Sequence, residues 1–141
     1  MNNTEKQTLF FKDIDFILRV DTKFRLYLSI CNDNSCIQEI HNKILNEYNT
    51  VRWLSFPANN NYLLSFVENN LEATSAKLLI IEGLKDNNDI GTVLASMNII
   101  RNSFRKFELP IILWVDDNLV GKFIKLAPNF YSWCCHIYLK D

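Results

Sequence analysis

Three acidic or hydroxylic side chains stand where a phosphate or a cation could be held. Ser35 opens the helical stretch "SCIQEI", separated by four residues from the end of the apolar run "FRLYLSI". Glu82 closes the apolar run "LLIIE", and Asp116 follows "IILWV". Open α/β sheets bind ligands at the carboxyl ends of their strands, which is where all three would fall. A helix beginning at Ser35 would present free N–H groups and the positive end of its dipole to an anion. Glu82 would then stand where a strand-end acid supports magnesium on the phosphates of ATP or GTP, and Asp116 with Asp117 could hold a cation.

The residues around them limit that chemistry. A phosphate loop needs glycines, so that backbone N–H groups can turn inward, and a lysine to reach the outer phosphates. The junction "SICNDNSCIQEI" has neither, and the first glycine of the chain is Gly83. Asp33 would put a carboxylate among the phosphates. No G-x-G-x-x-G fingerprint and no G-x-S-x-G elbow occurs. Cys31 or Cys36 as a nucleophile would rest only on position near a helix start, and His136 has no Asp or Ser at a triad-like spacing. A receiver-type phosphorylation domain needs an acidic pair after its first strand, and "CNDN" supplies one acid. Cys134 and Cys135, adjacent in an extended segment, point to opposite faces and suit a shared metal poorly. No catalytic residue, no metal and no resident cofactor are therefore expected.

The elements that must position these residues are legible as alternation. Helices are expected over 5–20, from Ser35 to Tyr48, over about 61–73, from Ile90 through Phe107 and from Asp116 or Asp117 to Ala127. Thr4 with Gln7, and Ser35 with Gln38, have the spacing of capping boxes. Strands are expected at "FRLYLSI", "VRWLSF", "AKLLIIEGL", "IILWV" and "CHIYL". The third of these has the continuous apolar centre "LLII", as a strand covered on both faces should. Five strands alternating with helices predict one α/β domain over 1–141, with a three-layer, five-stranded, mostly parallel sheet. The last strand ends almost at the C-terminus, which suggests an N-terminal domain or a fragment of a longer protein.

The 141 residues carry a net charge of −1 with scattered basic residues, so nucleic acid is not an expected partner. The longest apolar runs are too short to span a bilayer, and no signal-peptide pattern opens the chain. A cytoplasmic location is the expectation.

From residue 95 onward the chain resembles a module of large bacterial, often cyanobacterial, multidomain proteins of the signal-transduction NTPase kind. The resemblance is carried by "MNIIRN" with Asn98 and Arg101, "LPIILWV" with Trp114, and "APNFYSWCCHIY" with Ala127, Pro128, Phe130 and Trp133. The N-terminal half fits more loosely. Such modules resemble degenerate P-loop NTPase cores and usually precede tetratricopeptide repeats or other helical arrays. Here the family's acid after proline is Asn129, and its arginine after the tryptophan is Cys134. Joint loss suits a structural pair better than a working site. The resemblance implies a P-loop NTPase-like core without its phosphate loop, acting as a non-catalytic interaction or regulatory module of a signalling or defence protein. The partner would be another protein or an adjoining helical-repeat domain, with Asn98, Arg101 and Trp133 as candidate interaction residues. The alternative is a nucleotide-binding domain with an atypical loop spanning Cys31 to Cys36 together with Glu82. Against both stand plainer roles: Asn98 and Arg101 fastening their helix to a loop, Asp116 as an N-cap, Trp114 and His41 as packed side chains.

Overall fold

The computed structural model describes residues 3–71 and 75–138. Among these residues are six helices and five strands, alternating except that two helices precede the last strand: α1 (Asn3–Val20), β1 (Arg25–Ile30), α2 (Asn34–Glu47), β2 (Val51–Ser55), α3 (Leu63–Leu71), β3 (Leu78–Glu82), α4 (Ile90–Ile99), β4 (Pro110–Val115), α5 (Asp117–Leu126), α6 (Pro128–Tyr131) and β5 (Cys134–Tyr138). Single 3-10 segments follow β3 (Leu84–Asp86) and α4 (Arg101–Lys106). The tail ends of the expected helix at 61–73 and of the strand "CHIYL" lie outside the described residues.

All four strand pairings are parallel, in the order β2-β3-β4-β1-β5. The sheet is thus all-parallel, beyond the mostly parallel one expected. Parallel crossovers are almost always right-handed. The β1-to-β2 connection travels one way along the sheet, and the other three crossovers travel the opposite way. That handedness sends α2 to one face and α3 to α6 to the other.

The packing follows this division. Phe10, Phe11, Ile14 and Ile17 of α1 and Cys36, Ile40 and Ile44 of α2 cover Ile80, Ile112 and Trp114. Val67, Val93, Leu94, Met97, Leu119, Phe123 and Phe130 cover Leu28, Ile81, Leu113 and Val115 from the other side. Alternate residues of each strand serve the two cores, as the two-residue strand period requires. All six residues of β4 are buried, because it is a central strand with helices on both faces. Pro110 begins that strand, the one strand position where a missing N–H is harmless.

Three local expectations are corrected. Thr4 lies inside α1 rather than capping it, and its carbonyl accepts from the Thr8 hydroxyl at 2.9 Å. The cap of α2 is Asp33, whose Oδ1 accepts from the Ser35 amide at 2.9 Å. Ser35 sits one position inside the helix and donates its hydroxyl to the same oxygen at 2.7 Å. Finally, α4 stops at Ile99, and a 3-10 segment over Arg101–Lys106 replaces the expected continuation to Phe107. Arg101 donates to the Asn98 carbonyl at 2.7 Å, taking an acceptor that the helix end leaves open.

Candidate functional site

The strand order makes the carboxyl ends of β1 and β4 the position to inspect. These neighbours send their following helices to opposite faces, and the crevice between such strands is where open α/β sheets take ligands. It is filled by its own residues. β1 runs on for one residue, and the Cys31 amide donates to the Val115 carbonyl at 2.9 Å. Asn32 then clasps Asp117 in both directions: its Oδ1 accepts from the Asp117 amide at 2.9 Å, and its Nδ2 donates to Asp117 Oδ2 at 2.8 Å. One step further, Lys85 donates to Asn34 Oδ1 at 2.7 Å.

The helix N-termini facing this crevice are also taken. Asp33 caps α2, and Asp116 caps α5 by accepting from the Leu119 amide at 2.8 Å. An arriving phosphate would meet Asp33, Asp116 and Asp117 before any free N–H. Two like charges 4 Å apart near a protein surface cost roughly 4 kcal/mol each pair. Ser35 and Asp116 thus follow neighbouring strands, Ser35 held by the Asp33 cap of α2 and Asp116 itself the cap of α5. Glu82 lies one strand further, at the end of β3, and takes a hydrogen bond from the Ser55 hydroxyl of β2. Ser55 is the partner that sequence reasoning missed; its spacing to Glu82 carries no signal, since only strand pairing joins them.

The other candidates gather at the opposite edge. Asn98 Oδ1 accepts from the amides of Asn129 and Phe130, at 2.9 and 3.1 Å, and so fastens the end of α4 to α6. Trp133, half-buried, lies beneath the Arg105 guanidinium at 4.5 Å. Trp114 is buried and His41 stacks on Trp53 with ring centroids 4.5 Å apart. A hollow of about 630 Å³ opens beside Arg105, lined also by Thr22, Lys23, Phe24, Phe107 and Glu108. It lies at the amino ends of β1 and β4, away from every ligand candidate expected from the sequence. The sequence carries little signal for it: Lys-Phe pairs stand immediately before β1 (Lys23–Phe24) and two residues short of β4 (Lys106–Phe107), but the same pair also occurs inside α5 (Lys122–Phe123).

The cysteines divide by exposure. Cys31 and Cys36 are buried, and Cys135 is exposed. Burial, then the neighbouring Cys31, pushes the Cys36 thiol up to about 12. Burial, then Cys135, does the same for Cys134, also to about 12. A thiolate is the reactive form, so these two are quiet. In the native protein Ellman's reagent at neutral pH is expected to titrate one thiol quickly, Cys135, and all four after denaturation. Because the folded thiols hold their protons more tightly than unfolded ones, their contribution to stability is complete below about pH 9 and is lost as pH rises towards 12. Among the described residues no three His, Cys, Asp or Glu side chains converge as a metal site. No described helix is long and apolar enough to cross a membrane.

No protein-family model matches the chain, and no curated protein is significantly similar to it.

Proposed function

We propose that the chain is a non-catalytic interaction or regulatory module, with a P-loop NTPase-like core that has lost its phosphate loop. It would act in the cytoplasm within a bacterial signalling or defence protein, against a protein partner or an adjoining helical-repeat domain. The observation that carries this reading is the closed crevice at the ends of β1 and β4. A phosphate loop would lie there, and the Asn32–Asp117 clasp and the Asp33 cap occupy it instead. The five-stranded parallel sheet and the resemblance from residue 95 onward support the parentage.

The test is thermal unfolding of the chain with and without millimolar ATP or GTP plus magnesium. A ligand at about 100 times its dissociation constant adds roughly 2.7 kcal/mol, several degrees for a domain of this size. No shift with either nucleotide is the expected result. A shift of that size, lost on E82Q or S35A, would overturn the reading in favour of an atypical nucleotide site.

A further inference from the structure

The hollow at the amino edge is the middle of a longer groove. Through Phe24 and Arg105 it joins a hollow of about 280 Å³ that reaches Trp133 and Cys135 before and on β5. Through Phe107 and Glu108 it joins another of about 380 Å³ that reaches Leu71 and Ala76, ahead of β3. The groove therefore crosses the amino ends of β5, β1, β4 and β3 in spatial order. Three strand spacings of about 4.8 Å make a path of roughly 14 Å. An extended chain at about 3.4 Å per residue covers that path with four or five residues.

Its charges are unevenly satisfied. Lys106 already meets Glu68 at 2.9 Å, and Arg25 meets Asp21 at 3.8 Å. Lys23 and Arg105 have no carboxylate partner among the described residues, and Glu108 alone opposes them in the central hollow. Arg105 lies over the face of Trp133, Cζ 4.5 Å from the ring centroid, a contact that uses the π-face and leaves guanidinium N–H groups for an acceptor. Half-buried Phe24 and the exposed edge of the otherwise buried Phe107 add apolar lining to the same hollow. A floor of aromatic rings with two unmatched cations fits a chain that alternates acidic and apolar side chains. Strand-like geometry provides that alternation, since successive side chains point to opposite sides.

We propose that this groove docks an extended acidic peptide segment of a partner protein, four or five residues long, with carboxylates on Lys23 and Arg105 and an apolar side chain against Phe24 and Phe107. The inference rests on the interaction-module reading and gives that module its docking edge.

The test is fluorescence anisotropy with a fluorescein-labelled peptide Glu-Phe-Glu-Leu-Glu, beside the matched peptide Lys-Phe-Lys-Leu-Lys. The acidic peptide is expected to bind, more weakly as salt is raised, and the basic one not to. The double reversal K23E/R105E is expected to reduce acidic-peptide binding at least tenfold. Both side chains are exposed, so its thermal midpoint serves as the check that the fold is kept. Absence of binding, equal binding of the two peptides, or binding unchanged in K23E/R105E would overturn the groove. Displacement of the peptide by citrate at equal carboxylate concentration would also overturn it, in favour of a small-anion site. A nucleotide-induced thermal shift that persists in K23E/R105E would instead count against the interaction-module reading, so the two fail separately.

Discussion

Gly83→Val is expected to lower stability by about 3 kcal/mol or more, and the thermal midpoint by roughly 10 °C. Gly83 follows β3 directly and has φ +96°, a conformation that L-residues rarely adopt. A side chain there would cost about 1–2 kcal/mol in backbone energy alone, more when β-branched. Space adds to this. A Cβ on Gly83 would stand 2.8 Å from the carbonyl oxygen of Phe56 and 3.3 Å from its amide nitrogen. Neither atom can retreat cheaply: the Phe56 amide donates to the Glu82 carbonyl at 2.8 Å, and the Phe56 ring is buried. The loops beyond are tied as well, with Asn87 donating to the carbonyls of Pro57 and Asn60. Gly121→Ala is the contrast. Gly121 lies inside α5, and a Cβ there meets nothing within 4 Å. It should stabilise by up to about 1 kcal/mol through helix propensity. Chemical denaturation of both variants checks the pair, and a Gly83→Val protein as stable as the parent would refute the strain argument.

The strands were legible because apolar runs such as "LLIIE" and "IILWV" suit a sheet buried on both faces. The Asp116 cap was legible because the turn and the helix it opens are adjacent in sequence. Distinguishing Asp33 from Ser35 as the cap of α2 was not possible from spacing: both residue types cap well, and the Ser35–Gln38 interval imitates a capping box. The end of α4 was hidden for a related reason. Arg101, Phe104 and Phe107 recur every three residues, which a tolerant reading accepts as helix but which is the period of a 3-10 segment. The site was least legible of all. No local pattern states that β4 lies between β1 and β3, and that order alone brings Asn32 to Asp117 and Lys23 to Arg105's neighbourhood. Both the closed crevice and the open groove are therefore consequences of topology, written in pairs some 80 residues apart.

Phe130→Ala carries the second large effect, about 3–5 kcal/mol of destabilisation. Phe130 belongs to "APNFYSW", whose Pro128 reads as a helix stop. In the fold it is also a start: Pro128 takes the first position of α6, where its missing N–H costs nothing. This short turn drives Phe130 fully into the core, 5.3 Å from the Phe104 ring and 6.2 Å from the Phe123 ring by centroids. Truncation would leave a cavity between α4, α5 and the sheet that two aromatic neighbours cannot collapse to fill. Phe130→Leu keeps most of the volume and should cost under about 1.5 kcal/mol. Asn98 fixes the position of the same turn through the amides of Asn129 and Phe130. Asn98→Ala would leave the part-buried Phe130 amide without its acceptor, while water can reach the exposed Asn129 amide, and cost on the order of 1 kcal/mol. Because the two side chains hold one turn, their effects should not add. The double variant is expected to fall short of the summed losses by about 0.5 kcal/mol or more. Simple additivity in equilibrium denaturation would mean that Asn98 does not position Phe130, and its place in the motif would then need a role outside the core.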